Sequence, residues 1–135
     1  MLRIVLDTNV LVSAVVFPGK PRELVTLDAK RKFVLIASEE IVDEFTEVLE
    51  RPQFKKTRPE IRRARNALLK TAKLYKVTST RKVVKEDPDD DVLINTALDA
   101  RADYIVSGDP HLLRLSVYKG IKIVGVADML SKLGG

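Results

Sequence analysis

A chain of 135 residues is about one domain long and can bury roughly 68% of the surface its unfolded form exposes, so one self-standing core is expected. It has no cysteine and a single histidine, His111, which excludes disulfides, thiolate metal sites, cysteine nucleophiles and centres built on several imidazoles. The net charge of +5 is segregated: residues 51–85 hold 13 Lys and Arg against one acid, Glu60, and carry +12, leaving −7 on the remainder. No run is long and apolar enough to span a bilayer and the N-terminus lacks the features of a secretory leader, so a soluble, cytoplasmic protein without a membrane partner is expected.

The chain opens on Leu2-Arg3-Ile4-Val5-Leu6-Asp7-Thr8-Asn9, an apolar run ending in a carboxylate. Such a run reads as a strand buried on both faces, as in a parallel sheet covered by helices. Ligands in open α/β sheets sit at the carboxyl ends of strands, where Asp7 falls. Asp7 or Thr8 also suits capping of the helix that follows from Val10 to Phe17. Residues 17–21 are a turn by their Pro and Gly content, and Pro21 fits the first turn of a helix running to about Lys30.

Phe33 to Ala37 reads as a second buried strand, and Ser38 is a good N-cap with Glu39 and Glu40 favourably placed behind it. Ile41, Val42, Phe45, Val48 and Leu49 share one helical face. At about 100° per residue, Glu44 is the acid nearest that stripe and leans toward the sheet edge. Pro52 and Pro59 punctuate the basic window, and Glu60 to Lys76 reads as an amphipathic helix with Arg62, Arg63 and Arg65 on its polar surface. That surface fits either a solvated basic helix or a grip on a polyanion. Val77 to Val84, short and β-branched, reads as a connector or edge strand.

Residues 86–91 place five carboxylates in six positions, directly before an apolar helix from Val92 to Arg101. Acids suit a helix N-terminus, yet this many like charges repel one another unless cations are present. Leu93, Ile94, Ala97 and Leu98 define the buried face; Asp90 extends it to the helix start, with Asp89 and Asp91 flanking. Residues 102–109 repeat the opening pattern, a short apolar strand and then Ser107-Gly108-Asp109. Pro110 starts a short helix on which His111 is a surface or capping residue. Ile121 to Val124 is a last strand, and Ala127 to Leu133 a closing helix.

Alternating strands and helices imply a mostly parallel α/β sheet with right-handed crossovers, which brings Asp7 and Asp109 to one edge within reach of Glu44 and Asp90. Clustered carboxylates raise one another's pKa and call for protons or metal. Hard ions such as Mg²⁺ or Mn²⁺ take oxygen ligands, activate water and neutralise charge on a phosphoryl group. Joined to the basic lobe, this points to phosphodiester hydrolysis on a nucleic acid held by its backbone. Aromatics are sparse, with Phe54, Tyr75 and Tyr118 the candidates for base stacking.

Ile-Val-Leu-Asp-Thr-Asn at 4–9, Ser-Glu-Glu-Ile-Val-Asp-Glu at 38–44, Asp-Pro-Asp-Asp-Asp at 87–91 and Tyr-Ile-Val-Ser-Gly-Asp at 104–109 resemble, in order, the motifs of the PIN domain family. The resemblance spans nearly the whole chain as a single domain. It implies a three-layer α/β/α nuclease with a mostly parallel central sheet that cuts RNA using Mg²⁺ or Mn²⁺. It also implies a VapBC-like toxin–antitoxin pair, hence an antitoxin partner, and a homodimer.

Carried over by position, the catalytic acids are Asp7, Glu44 and Asp109, with a third acid at Asp90 or Asp91. Helix register favours Asp90, whereas counting back from Ser107 to Asp109 favours Asp91. The metal ligands are then drawn from Asp7, Asp90, Asp91 and Asp109, and Asn9 and Ser107 match positions that orient the acids or bind their waters. RNA contact by Arg62, Arg63 and Arg65 is inferred from charge alone. The alternative is a non-catalytic RNA- or partner-binding module of the same fold, against which all four acidic positions are filled. A receiver-like phosphotransfer domain would want an acid pair on the first strand and a Lys soon after the late strand, and both are missing.

Overall fold

Ile4 to Leu6, Leu35 to Ala37 and Ile105 with Val106 are sealed from solvent. The strands that carry them, β1 (Arg3–Leu6), β2 (Val34–Ser38) and β4 (Tyr104–Val106), lie side by side in the middle of a parallel sheet. β3 (Lys73–Tyr75) flanks β2, while β6 (Ile121–Val124) and its antiparallel partner β5 (Val117–Tyr118) complete the order β3-β2-β1-β4-β6-β5. Both edge strands are very short, which leaves little open backbone for another chain to pair with. The computed structural model describes residues 1–84 and 88–134, apart from the side chains at 88 and 89, so Glu86 and Asp87 of the acidic run lie outside the described residues.

The helices α1 (Thr8–Val16), α2 (Lys20–Ala29), α3 (Glu39–Leu49) and α4 (Arg58–Thr71) connect β1 to β2 and β2 to β3, stepping one way across the sheet. α5 (Pro88–Ala100) and α6 (Pro110–Leu115) connect β3 to β4 and β4 to β6, stepping the other way. Right-handed crossovers therefore put the two sets on opposite faces. In agreement, α1 packs on α2 and α3, α3 on α4, and α7 (Val126–Lys132) on α2, whereas α5 covers β1, β2 and β4 and α6 covers β6. The result is the expected three-layer α/β/α arrangement. Winding reverses between β1 and β4, and in such sheets that point opens a crevice at the carboxyl ends of the strands. No helix among the described residues is long and apolar enough to cross a membrane.

One part of the chain departs from the sequence reading, and one open alternative is decided. The basic helix stops at Thr71 instead of continuing to Lys76: Ala72 takes an extended backbone, and Lys73–Tyr75 pairs in parallel with Ile36–Ser38. Pairing with β2 outweighs the helical propensity of this lysine-rich stretch. Tyr75 is thereby committed to structure, since its hydroxyl accepts from the Arg3 guanidinium, which also donates to the Ala100 carbonyl at 2.8 Å at the end of α5.

Residues 77–84 are the connector of the two readings, not an edge strand. They run as an extended strap fastened to one face of α5 by three side chains spaced four residues apart. Asp99 accepts from the Thr78 and Ser79 amides at 2.6 and 3.0 Å, Asn95 exchanges hydrogen bonds with the Arg81 backbone, and Asp91 Oδ1 accepts from the Val83 and Val84 amides at 2.8 and 2.9 Å. The Ser79 hydrogen bonds hold the Asp99 carboxyl below its ordinary range. A depressed pKa means that the stabilisation is complete above the ordinary Asp value of 3.8 and is lost as pH falls through the folded value. Asp99→Ala is accordingly expected to cost about 1–3 kcal/mol at neutral pH, with amide exchange at 78–84 accelerating first. Unchanged exchange along the strap would show that Asp99 does not fasten it.

Candidate active site

Each acid that the structure places at the crevice is fixed by the element it starts or ends. Asp7 directly follows β1 and caps α1, its Oδ1 accepting from the Asn9 amide at 3.2 Å, so the capping role and the sheet-edge position coincide. The pairings Val5 with Ile36 and Leu6 with Val106 bring Asp7, Ser38 and Ser107 level at the same edge. Asp7 Oδ2 accepts from the Ser107 hydroxyl at 2.6 Å, a short bond of the kind made to an ionised group. Ser107 in turn accepts from the Asp109 amide at 3.0 Å and is itself fully buried. One hydroxyl thus sets the spacing between the carboxylate after β1 and the loop after β4.

Asp109 caps α6, accepting from the His111 amide at 2.8 Å, and the Asp90 carboxyl lies near enough to bear on its titration. Burial pushes the Asp109 carboxyl up, but the His111 amide, the Asp90 carboxyl and the charges of His111 and Arg114 together hold it below the ordinary range. Asp90 stands in the first turn of α5 and is 4% exposed; Asp7 is 6% exposed. The series Asp7–Ser107–Asp109–Asp90 crosses the crevice between β1 and β4. Asp91 is turned to the strap instead, one residue further along the same helix.

Glu44 stands half-buried on the second turn of α3, the helix that Ser38 caps and that packs on α5. A buried hydroxyl pair, Ser38 and Thr96 at 3.0 Å, ties the start of α3 to α5; nothing in the sequence pattern singles it out. Arg62 and Arg63 are exposed on α4, and Arg65 is half-buried there. Arg62 and Arg65 line a groove of ≈ 530 Å³ together with Lys56, Arg58 and Glu50, a basic concavity between α3 and α4.

As a cation site, the crevice offers oxygen donors only, the set that hard divalent ions take. Asp90 and Asp109 stand close enough that a shared proton or a cation must neutralise part of their charge, and the residues present fit a hydrated divalent ion in that respect. Among the described residues no three carboxylate or imidazole groups converge closely enough to enclose an ion. Water would therefore complete the coordination, as it commonly does for Mg²⁺.

A further acid was not singled out by the sequence. Asp28, near the end of α2 and only 5% exposed, faces a cavity lined also by α1, α3 and α4, and its Oδ2 has no hydrogen-bond partner among the described residues. Burial pushes its pKa above the ordinary value of 3.8, against hydrogen bonds from Thr71 and the Leu35 backbone. A raised value means that the stabilisation it provides is complete below 3.8 and is lost as pH rises through the folded value. Asp28→Asn is expected to gain on the wild type by roughly 1–3 kcal/mol between acid and neutral pH, seen as a Tm difference that grows with pH. A difference that shrinks with pH would show that Asp28 is paired in its ionised form.

Residues 3–111 match the model of the PIN domain family. No curated protein matches the chain. Among solved structures, that of VapBC2 from Rickettsia felis bound to a DNA fragment from their promoter aligns with a TM-score of 0.64 at 13% identity, covering 92% of this chain and 98% of that one. At that identity the likeness speaks for the fold, in keeping with the α/β/α layers and the strand order above. The family model, which spans most of the chain and each of the crevice acids, is what assigns it: this chain belongs to the PIN domain family.

Proposed function

We propose that the chain is a divalent-metal-dependent endoribonuclease that hydrolyses RNA phosphodiester bonds at the crevice between β1 and β4, with Mg²⁺ or Mn²⁺ as cofactor. The observation that carries this reading is that Ser107 joins Asp7 to Asp109, with the buried Asp90 beside them, at the point where the winding of the sheet reverses. Asp7, Asp90 and Asp109 would hold the ion, with Glu44 the fourth acid. When bound, the ion supplies charge neutralisation at the phosphoryl group and a more acidic water.

The chain's own residues do the positioning. Ser107 and the Asn9 amide lock the rotamer of Asp7, and the His111 amide locks that of Asp109, so neither acid must reorganise during the reaction. The basic groove along α4, with Arg62 and Arg65 in its wall and Arg63 beside it, would hold the RNA backbone without regard to sequence, with affinity falling steeply in salt. Family membership and the VapBC2 likeness support a further reading, in which the chain is the toxin of a toxin–antitoxin pair, neutralised by an antitoxin. Co-purification with the product of an adjacent reading frame tests the antitoxin.

The two neighbouring acids on α5 give the test of the site. Asp90→Asn is expected to lower cleavage of a labelled RNA by on the order of 10²-fold or more, with the fold kept. Asp91→Ala, which removes the oxygen that both strap amides share, is expected to loosen the strap, cost about 1–3 kcal/mol, and keep most of kcat. The reverse pattern, with Asp91 needed for turnover and Asp90 dispensable, would overturn the assignment.

A further inference from the structure

A groove of ≈ 240 Å³ lies beside the crevice, walled on one side by Val83 and Val84 of the strap and on the other by His111, Arg114 and Leu115 of α6. Both walls are built on residues of the acidic site. α6 begins at Asp109, and the strap is pinned at Val83 and Val84 by Asp91, next to Asp90. His111 and Arg114 are three residues apart and therefore share a face of α6; both are exposed, and their charge reaches Asp109. Val83 and Leu115 are half-buried and give the groove an apolar lining. A cationic wall facing an apolar one, beside the acids, is complementary to a nucleotide, which carries an anionic phosphate on a flat, largely apolar base and sugar.

Resting on the nuclease reading, we propose that this groove is the subsite for the nucleotide next to the scissile phosphodiester. Arg114 and His111 hold its phosphate, and Val83 with Leu115 supports its sugar and base. Arg114 is a positioning residue that acts on substrate binding, not on the bond that breaks.

The test is a cycle between side chain and substrate. Steady-state cleavage by the wild type and Arg114→Ala is measured on an RNA oligonucleotide and on versions shortened by one nucleotide from either end of the cleaved bond. Lys30→Ala, at the C-terminal cap of α2 in the opposite helical layer, is the charge-matched control. Arg114→Ala is expected to raise KM about tenfold on the full RNA with kcat within about twofold, and to add little on the version lacking the flanking nucleotide. His111→Gln is expected to follow in the same direction with a smaller effect. An equal KM change for Arg114→Ala and Lys30→Ala, or the same change on full and shortened RNA, would overturn the subsite and leave the nuclease reading standing. A wild type that cuts no RNA counts against the nuclease reading instead. Fluorescence anisotropy of the same oligonucleotides on wild type and Arg114→Ala then decides the subsite: length-dependent weakening supports it, and unchanged or length-independent affinity overturns it.

Discussion

Asp7→Asn is expected to reduce metal-dependent RNA cleavage by roughly 10³-fold or more, equivalent to about 4 kcal/mol of transition-state stabilisation, while the protein stays folded. The substitution keeps the shape of the side chain. An amide oxygen can still accept one of the two hydrogen bonds that now reach the carboxylate, from Ser107 at 2.6 Å or from the Asn9 amide at 3.2 Å. What is lost is the negative charge at the carboxyl end of β1, where a cation would be held. Comparing kcat/KM under metal saturation with the circular dichroism spectrum of each protein separates chemistry from unfolding. Activity within about tenfold of the wild type would place the ion away from Asp7.

The largest expected loss of stability is at Ile105→Ala, about 2–5 kcal/mol from a total that for domains of this kind is about 5–15. Ile105 is fully buried in β4, pairing with Val5 of β1 on one side and Ile123 of β6 on the other. Removing its outer carbons leaves a cavity in the middle of the sheet, where neighbours on both strands are fixed by their own ladders and collapse little. The same strand delivers Ser107 and Asp109 to the crevice, so loosening it is expected to reduce cleavage before the protein melts. Chemical denaturation reads the effect directly. A change below about 1 kcal/mol would mean that the cavity closes and that β4 is less tightly packed than its burial implies.

Much of this architecture is legible in the sequence because strands buried on both faces announce themselves as unbroken apolar runs. Ile4 to Leu6 and Tyr104 to Val106 each end in a polar step to an acid, and right-handed winding then leaves little choice about where Asp7 and Asp109 meet. The elements that escaped were those set by pairing instead of pattern. β3 lies in a lysine-rich stretch that continues a helical period, and only its ladder with β2 makes it a strand. β5 depends on a two-residue turn in which Lys119 and Gly120 both take positive φ, 48° and 84°, a conformation that Lys-Gly signals weakly compared with Asn-Gly.

The choice between Asp90 and Asp91 was open from spacing because it turns on backbone partners. The Val83 and Val84 amides that engage Asp91 belong to a strap whose course has no hydrophobic period. Asp28 carries no signal in the sequence, since the cavity it faces is lined by four helices from distant parts of the chain. Arg114 did carry a signal: it follows His111 by three residues on a helix that an acid of the site begins, and that spacing alone puts both side chains on one face.

The central claim is that bound divalent metal at the crevice acids cuts RNA. Its most direct test is a time course of the wild-type protein with end-labelled single-stranded and structured RNAs in Mn²⁺ or Mg²⁺, run beside the same reactions with excess chelator. Cleavage that requires the metal and stops with chelator is the expected result. Cleavage undiminished by chelator, or salt-sensitive RNA binding with no cleavage under any metal, would contradict it.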